Sequence, residues 1–301
     1  MNVKPNTAYY HLPGLFEHYA LYRVFLPLYQ THREYFFDWC EIGSLYGAPA
    51  GCLWGGGRVS CGDADARDVL ALTDAYGISA RLTFSNSLLQ PDHLRDRTCN
   101  RLCGLLEKRA VPGGVIVHSD LLTDYLRERY PGLYLVSSTT KVLTAFRQLE
   151  NELNRNEFSF VVPDFRLNKA LEQLGALTPA QKAKVEFLCN ECCSFTCRDR
   201  KACYESVSRK TLGESAPEHI CASPDADEGY RFSKAMTNPG YIGPDAIQSV
   251  YLPMGFSHFK IEGRGLGSAL ILEFLLEYMT KPEYRLHVRE HIYLSNTLDL
   301  F

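Results

Sequence analysis

Apolar residues fall along this chain in short runs, separated by longer segments whose apolar positions recur with helical spacing. Eight runs stand out, at 8–12, 36–42, 79–84, 114–118, 133–137, 158–162, 184–189 and 258–262. Between most of them the pattern changes, as at Leu121, Leu122, Tyr125 and Leu126, which follow a Ser119-Asp120 pair suited to capping a helix. Strand and helix alternating eight times predict a parallel (β/α)8 TIM-type barrel, a single domain over 1–301.

The residues just past each run share a character. They include Pro13-Gly14, Ser85-Asn86, Ser119-Asp120, Ser138-Thr139, Pro163-Asp164, Asn190-Glu191-Cys192-Cys193 and Gly263-Arg264. In a barrel these positions lie together on the carboxyl-terminal rim, where sites are built, although Ser, Asn and Asp there also suit helix caps. The connection between the seventh and eighth runs is much longer than the others. It predicts a cysteine-rich insertion and lid over 189–240 ahead of the last strand.

With 301 residues, 46% of them apolar, the chain can fill one large core. The formal charge is -3 and no run of Lys and Arg tracks a phosphate backbone, so nucleic acid is unsupported as a partner. The longest apolar region, 268–279, carries Glu273 and Glu277 and is shorter than the roughly 20 residues of a membrane helix. The opening residues lack the charged-then-apolar pattern of a secretory signal, so a cytoplasmic location with reduced thiols is expected.

Six of the eleven cysteines fall at Cys189, Cys192, Cys193, Cys197, Cys203 and Cys221. Cys193 and Cys197 have three residues between them, which lets two thiolates of one turn reach a common metal; Cys203 follows after five and Cys221 after seventeen more. Four soft ligands suit either an iron-sulfur cluster, which accepts uneven spacing, or a zinc ion, whose sites more often show two close pairs. Cys189 ends an apolar run and reads as a buried thiol, as do Cys99 and Cys103, four apart on a predicted helix. The fourth ligand is open among Cys203, Cys192, Cys189 and a distant Cys40 or Cys52, and Cys61 has no assigned role. Arg198, Arg200 and Lys201 stand beside the cluster, placed to hold a cofactor or an anionic substrate or simply to face solvent.

The second motif is Phe259-Lys-Ile-Glu-Gly-Arg264, which sets Lys260, Glu262 and Arg264 at alternate positions, pointing one way from the last strand. Three such charges must pair with one another or across the barrel. This motif, downstream of a cysteine-rich loop in an alternating strand and helix chain, resembles peptidase family U-32, the collagenase-like peptidases. Asn190, Glu191, Cys193, Cys197, Arg200, Cys203 and Tyr204 resemble a less studied branch; the Arg-Gly-x-Cys sequence of better-known members is absent. The resemblance implies a parallel barrel carrying a four-cysteine, 4Fe-4S cluster and oxygen-independent hydroxylation of a small or modified substrate.

Three functions follow as expectations. The first is an iron-sulfur barrel enzyme with Lys260, Glu262, Arg264, Asp164 and Asn86 as catalytic candidates, Asp120 beside them, and Tyr10, His11 and Trp54 as walls. It would take a small anionic or aromatic substrate and an electron donor or partner subunit. The second is a peptidase or other hydrolase, though neither a Gly-x-Ser-x-Gly elbow nor a His-Glu-x-x-His helix is present. The third is a non-enzymatic subunit with a structural zinc, in which 15–29 forms either a partner-binding helix or a core-facing one.

Overall fold

A computed structural model describes residues 6–57, 62–215, 217, 219–223, 226 and 229–295; Cys61 lies outside them. The strands are β1 (Ala8–Pro13), β2 (Cys40–Gly47), β3 (Ser79–Phe84), β4 (Gly114–Val117), β5 (Tyr134–Ser137), β6 (Phe158–Val161), β7 (Glu186–Leu188) and β8 (His258–Lys260). All laddered neighbours are parallel, in the order β6-β5-β4-β3-β2-β1-β8-β7. A parallel bridge between Val161 and Val185 brings the two ends together. The expected eight-stranded barrel is therefore present, nearly closed.

The helices are α1 (Tyr19–Thr31), α2 (Ala66–Ala75), α3 (Arg97–Glu107), α4 (Asp120–Arg129), α5 (Phe146–Leu153), α6 (Leu171–Ala176), α7 (Pro179–Lys182), α8 (Arg200–Thr211), α9 (Phe232–Met236), α10 (Pro244–Ala246), α11 (Ser268–Tyr278) and α12 (Arg285–Leu294). Polar residues just ahead of the first turn start several of them. Asp65 accepts from the Arg67 N–H, Asp96 from Cys99 and Ser119 from Leu122, satisfying amides that would otherwise be orphaned. The segment 15–29 enters the core, because α1 buries Leu21, Tyr22, Phe25, Leu26 and Leu28; this removes the support it offered for a partner-binding helix.

Three strands, the second, seventh and eighth, depart by two residues or more from their expected bounds; the eighth ends at Lys260, so Glu262 and Arg264 lie in the loop beyond it and not at alternate positions of the strand. The second begins at Cys40 and runs to Gly47, whereas the apolar run began at 36. Phe36 makes an isolated antiparallel bridge to Thr280 instead. The strand continues through Gly43-Ser44 past a register shift between Tyr10 and His11, and a Cβ at Gly43 would meet the His11 ring at 2.8 Å, so the glycine there marks a bulge with close packing and not a turn. The seventh strand shortens to three residues.

Period-two alternation divides the barrel. Outward side chains such as Tyr10, Leu12, Phe187 and Phe259 join the core beneath the helices. Inward ones stack in layers. Nearest the carboxyl-terminal rim, Tyr46, Ile116, Val136, Val162 and Leu188 form a separate apolar cluster. Beneath it lies a polar layer containing His11, Ser44, Arg81, Glu186 and His258, all buried. The connection over 189–257 carries α8 and α9, which reach the rim cavity, and then α10 and a π-helical turn, Ile247–Tyr251, whose Tyr251 packs on Phe187 and Phe259 outside the barrel. Among the described residues no helix is long and apolar enough to cross a membrane.

Candidate functional site

A cavity of about 1240 Å³ opens at the rim. That exceeds the roughly 300–1,000 Å³ of ordinary small-molecule sites, leaving room for more than one small group. Its lining includes Cys52, Cys192, Cys193, Cys197, Cys203 and Cys221 together with Lys260, Glu262 and Arg264, with Tyr46, Ile116, Val162 and Leu188 as its floor. Two motifs about sixty residues apart in the chain thus share one space.

The loop bearing Cys193 and Cys197 is pinned by buried charges. Asp164 follows β6, is fully buried and grips Arg166 through Nε at 2.6 Å and a second nitrogen at 3.0 Å. Arg166 donates to the Cys197 carbonyl at 2.8 Å. Arg200, 2% exposed at the start of α8, pairs with Glu191 at 2.6 Å and Asp164 at 3.5 Å. Its guanidinium stacks between the Phe165 and Tyr204 rings. Glu191 in turn accepts from the Cys193 N–H at 2.9 Å, and Asn238 donates to the Cys193 carbonyl at 2.9 Å. The neighbouring Asn190 joins β7 to β8: its Oδ1 accepts the Glu262 N–H at 2.7 Å. The Asn-Glu-x-Cys sequence is therefore a hinge plate, with Asn190 fixing one motif and Glu191 the other.

Lys260 occupies the junction between cavity and barrel interior. Its Nζ sits 3.5 Å from the centre of the Tyr46 ring and 3.5 Å from Glu186 Oε1, within ion-pair range but without a hydrogen bond. Glu186 is already bonded to Arg81, and the His11 ring nitrogen lies 3.4 Å from the same carboxylate. His11 bonds Ser44 at 2.8 Å and His258 at 3.1 Å. Burial would push the Glu186 carboxyl up, but the Arg81 and Lys260 charges overcome this and hold it below the usual range. Burial drives both histidines to the neutral form, His258 down to about 4. It also pulls Lys260 down to about 8, with Glu186 opposing and Arg81 and Arg264 adding to the fall. Arg264, 5% exposed, stands 3.8 Å from Glu17 and donates to the Gly56 carbonyl.

The expected site residues divide. Cys193, Cys197, Cys203, Cys221, Arg198, Arg200, Lys260, Glu262 and Arg264 all line the cavity. Arg198 is exposed there, while Arg200 is committed to the carboxylates behind the loop. Asp164 and Asn86 lie outside the lining. Asn86 is fully buried, donating to the Leu53 and Ser208 carbonyls and accepting from the Leu88 N–H, which ties α8 to the end of β3. Asp120 pairs with Arg155 on the outer surface. Tyr10 packs against Tyr278 outside the barrel, His11 lies inside it, and Trp54 packs on Phe84 and Tyr125, so none of the three walls the cavity. Cys189, Cys99 and Cys103 are buried thiols as expected, and Cys40 is buried too. Sequence reasoning missed Tyr46, Arg81 and Glu186; the signal was a charge at the centre of each of two apolar runs.

Thiols on one wall are the donor set that soft metals take. Among the described residues, however, no three His, Cys, Asp or Glu side chains are gathered closely enough to hold an ion.

These features define a (β/α)8 barrel with a cavity at its carboxyl-terminal rim, lined by thiols and charged side chains over an apolar floor. A solved structure of a U32 peptidase is similar to it, with a TM-score of 0.52 at 13% identity, over 87% of this chain and 96% of the other. At that identity the likeness concerns the fold, which is U32-like. No protein-family model matches the sequence, and no curated protein does.

Proposed function

We propose that the protein is a U32-like barrel enzyme that holds a thiolate-ligated iron-sulfur cluster beside a pocket for a small anionic or aromatic substrate. The carrying observation is the shared cavity: Cys193, Cys197, Cys203 and Cys221 line the same space as Lys260, Glu262 and Arg264. Those four thiols would hold the cluster, with Cys192 and Cys52 alternative donors in the same lining; the thiols as placed stand apart, so the loop would gather around the metal as it binds. Bound there, such a cluster supplies electron transfer or substrate activation, in keeping with oxygen-independent hydroxylation. This chain's own residues do the rest. Glu191 and Arg166 orient the cysteine loop through its backbone, Arg264 offers a guanidinium for an anion, and the apolar floor surrounds Lys260.

Replacing Cys193 and Cys197 together by Ser should abolish iron binding in protein made without oxygen. A double variant that keeps full iron content would remove both as ligands.

Peptide hydrolysis is the second reading, favoured by the peptidase named in the similar structure. It requires cleavage of denatured collagen or casein that survives loss of the cysteines.

A further inference from the structure

The polar layer inside the barrel holds one carboxylate, Glu186, against two cations, Arg81 and Lys260, while His11 and His258 are kept neutral. Glu186 is engaged by Arg81, and the Lys260 nitrogen is left with the Tyr46 ring and a carboxylate oxygen at 3.5 Å. Glu186 on β7, Arg81 on β3, His11 on β1, His258 on β8, Tyr46 on β2, and Glu262 and Arg264 beyond β8 are the titratable and charged groups around it. An excess of positive charge in a buried layer is relieved most cheaply by the group that can release a proton. Arginine cannot, so the lysine does. Lys260 also ends the last strand at the cavity floor, where its nitrogen meets the space above and Tyr46, Ile116, Val162 and Leu188 surround it, an apolar setting that favours the neutral, nucleophilic amine.

We propose that Lys260 captures the carbonyl carbon of a small anionic aldehyde or oxo acid that enters the rim cavity, with Arg264 taking the anionic group. The neutral Nζ forms a bond to the carbonyl carbon as the carbon-oxygen π electrons move to oxygen, which gains the proton lost by nitrogen. The resulting carbinolamine loses water to leave an imine. Protonated, that imine places its charge where the ammonium stood, beside Glu186. The balance is amine plus carbonyl to imine plus water, and no oxidant or reductant enters. A lysine held near a pKa of about 8 is neutral in a useful fraction at physiological pH, against one with the ordinary 10.5. The inference deepens the reading of the cavity as a substrate site but does not depend on the metal.

The test is reductive trapping. The full chain is incubated with glyoxylate and cyanoborohydride, digested, and mapped by mass spectrometry, with iron measured on the same sample. Lys260 should be the residue modified at the lowest glyoxylate concentrations, with a trapping rate that rises with pH and is half-maximal near 8. Arg264→Met should lower trapping of glyoxylate about tenfold and leave that of acetaldehyde nearly unchanged, the effect of losing one charge-assisted contact. Label spread over surface lysines with Lys260 unmodified overturns the proposal, and it does so in unmutated protein. Iron-free protein that still traps glyoxylate at Lys260 supports it while removing the metal reading.

Discussion

Replacing Glu186 by Gln should expose how the barrel interior is balanced. The substitution keeps size and hydrogen-bonding atoms but removes the carboxylate that faces both Arg81 and Lys260. All three side chains are buried, at 0%, 0% and 6% exposure. Stripping one partner from such a pair costs about 3–5 kcal/mol. The penalty divides unequally. Lys260, at about 8 with the carboxylate present and lower without it, can escape its share by releasing a proton at pH 7, which costs no more than about 1.4 kcal/mol. Arg81 has no such exit, so about 2–4 kcal/mol rests on it. The double variant Glu186→Gln, Arg81→Met should then recover most of the loss, returning to within about 2 kcal/mol of the parent. Urea unfolding of each chain at pH 7, with the slopes compared to confirm a common mechanism, reads these differences directly. A Glu186→Gln chain destabilised by less than about 1 kcal/mol, or a double variant no better than the single, would refute the shared-carboxylate account.

Three further outcomes follow from the same geometry. His258 titrates at about 4 in the folded chain against an ordinary 6.5, so the unfolded chain binds more protons between those values. Stability is therefore present above pH 6.5 and falls by about 3 kcal/mol toward pH 4; His258→Phe should flatten that part of the pH profile, and an unchanged slope would assign the loss elsewhere. Glu191→Gln weakens the contacts that hold Cys193 and Arg200 and should lower iron retention about 10- to 100-fold in a chelator competition, with the circular dichroism spectrum preserved. Gly263 has φ of +151°, and a Cβ there would meet Ile271 Cδ1 at 2.4 Å, so Gly263→Ala should cost about 1–3 kcal/mol by thermal unfolding.

The barrel was legible because its signal is local. Each strand is a short apolar run, and the order of runs and helical segments carries the topology without any long-range knowledge. Bounds failed where a tertiary contact overrode composition, as at Gly43, which looks like a turn residue until the His11 ring is found against it. The rim cavity was half legible. Cysteine spacing and the alternate charges of the last strand each pointed to chemistry, and both reach the same space. Asp164 and Asn86 were legible only as polar residues past a strand, a position that serves caps and clamps as often as sites; here their atoms are spent on Arg166, Ser208 and neighbouring backbone. The interior layer was hidden for another reason. Arg81 and Glu186 are 105 residues apart and His11 and His258 are 247 apart, and only closure of the barrel makes them neighbours.

The most direct test of the central claim is the absorption spectrum of protein purified without oxygen, with iron, sulfide and zinc measured on the same sample. The account predicts a broad thiolate-to-iron band and about four irons with matching sulfide per chain. A colourless protein carrying one zinc, or no metal at all, would contradict it.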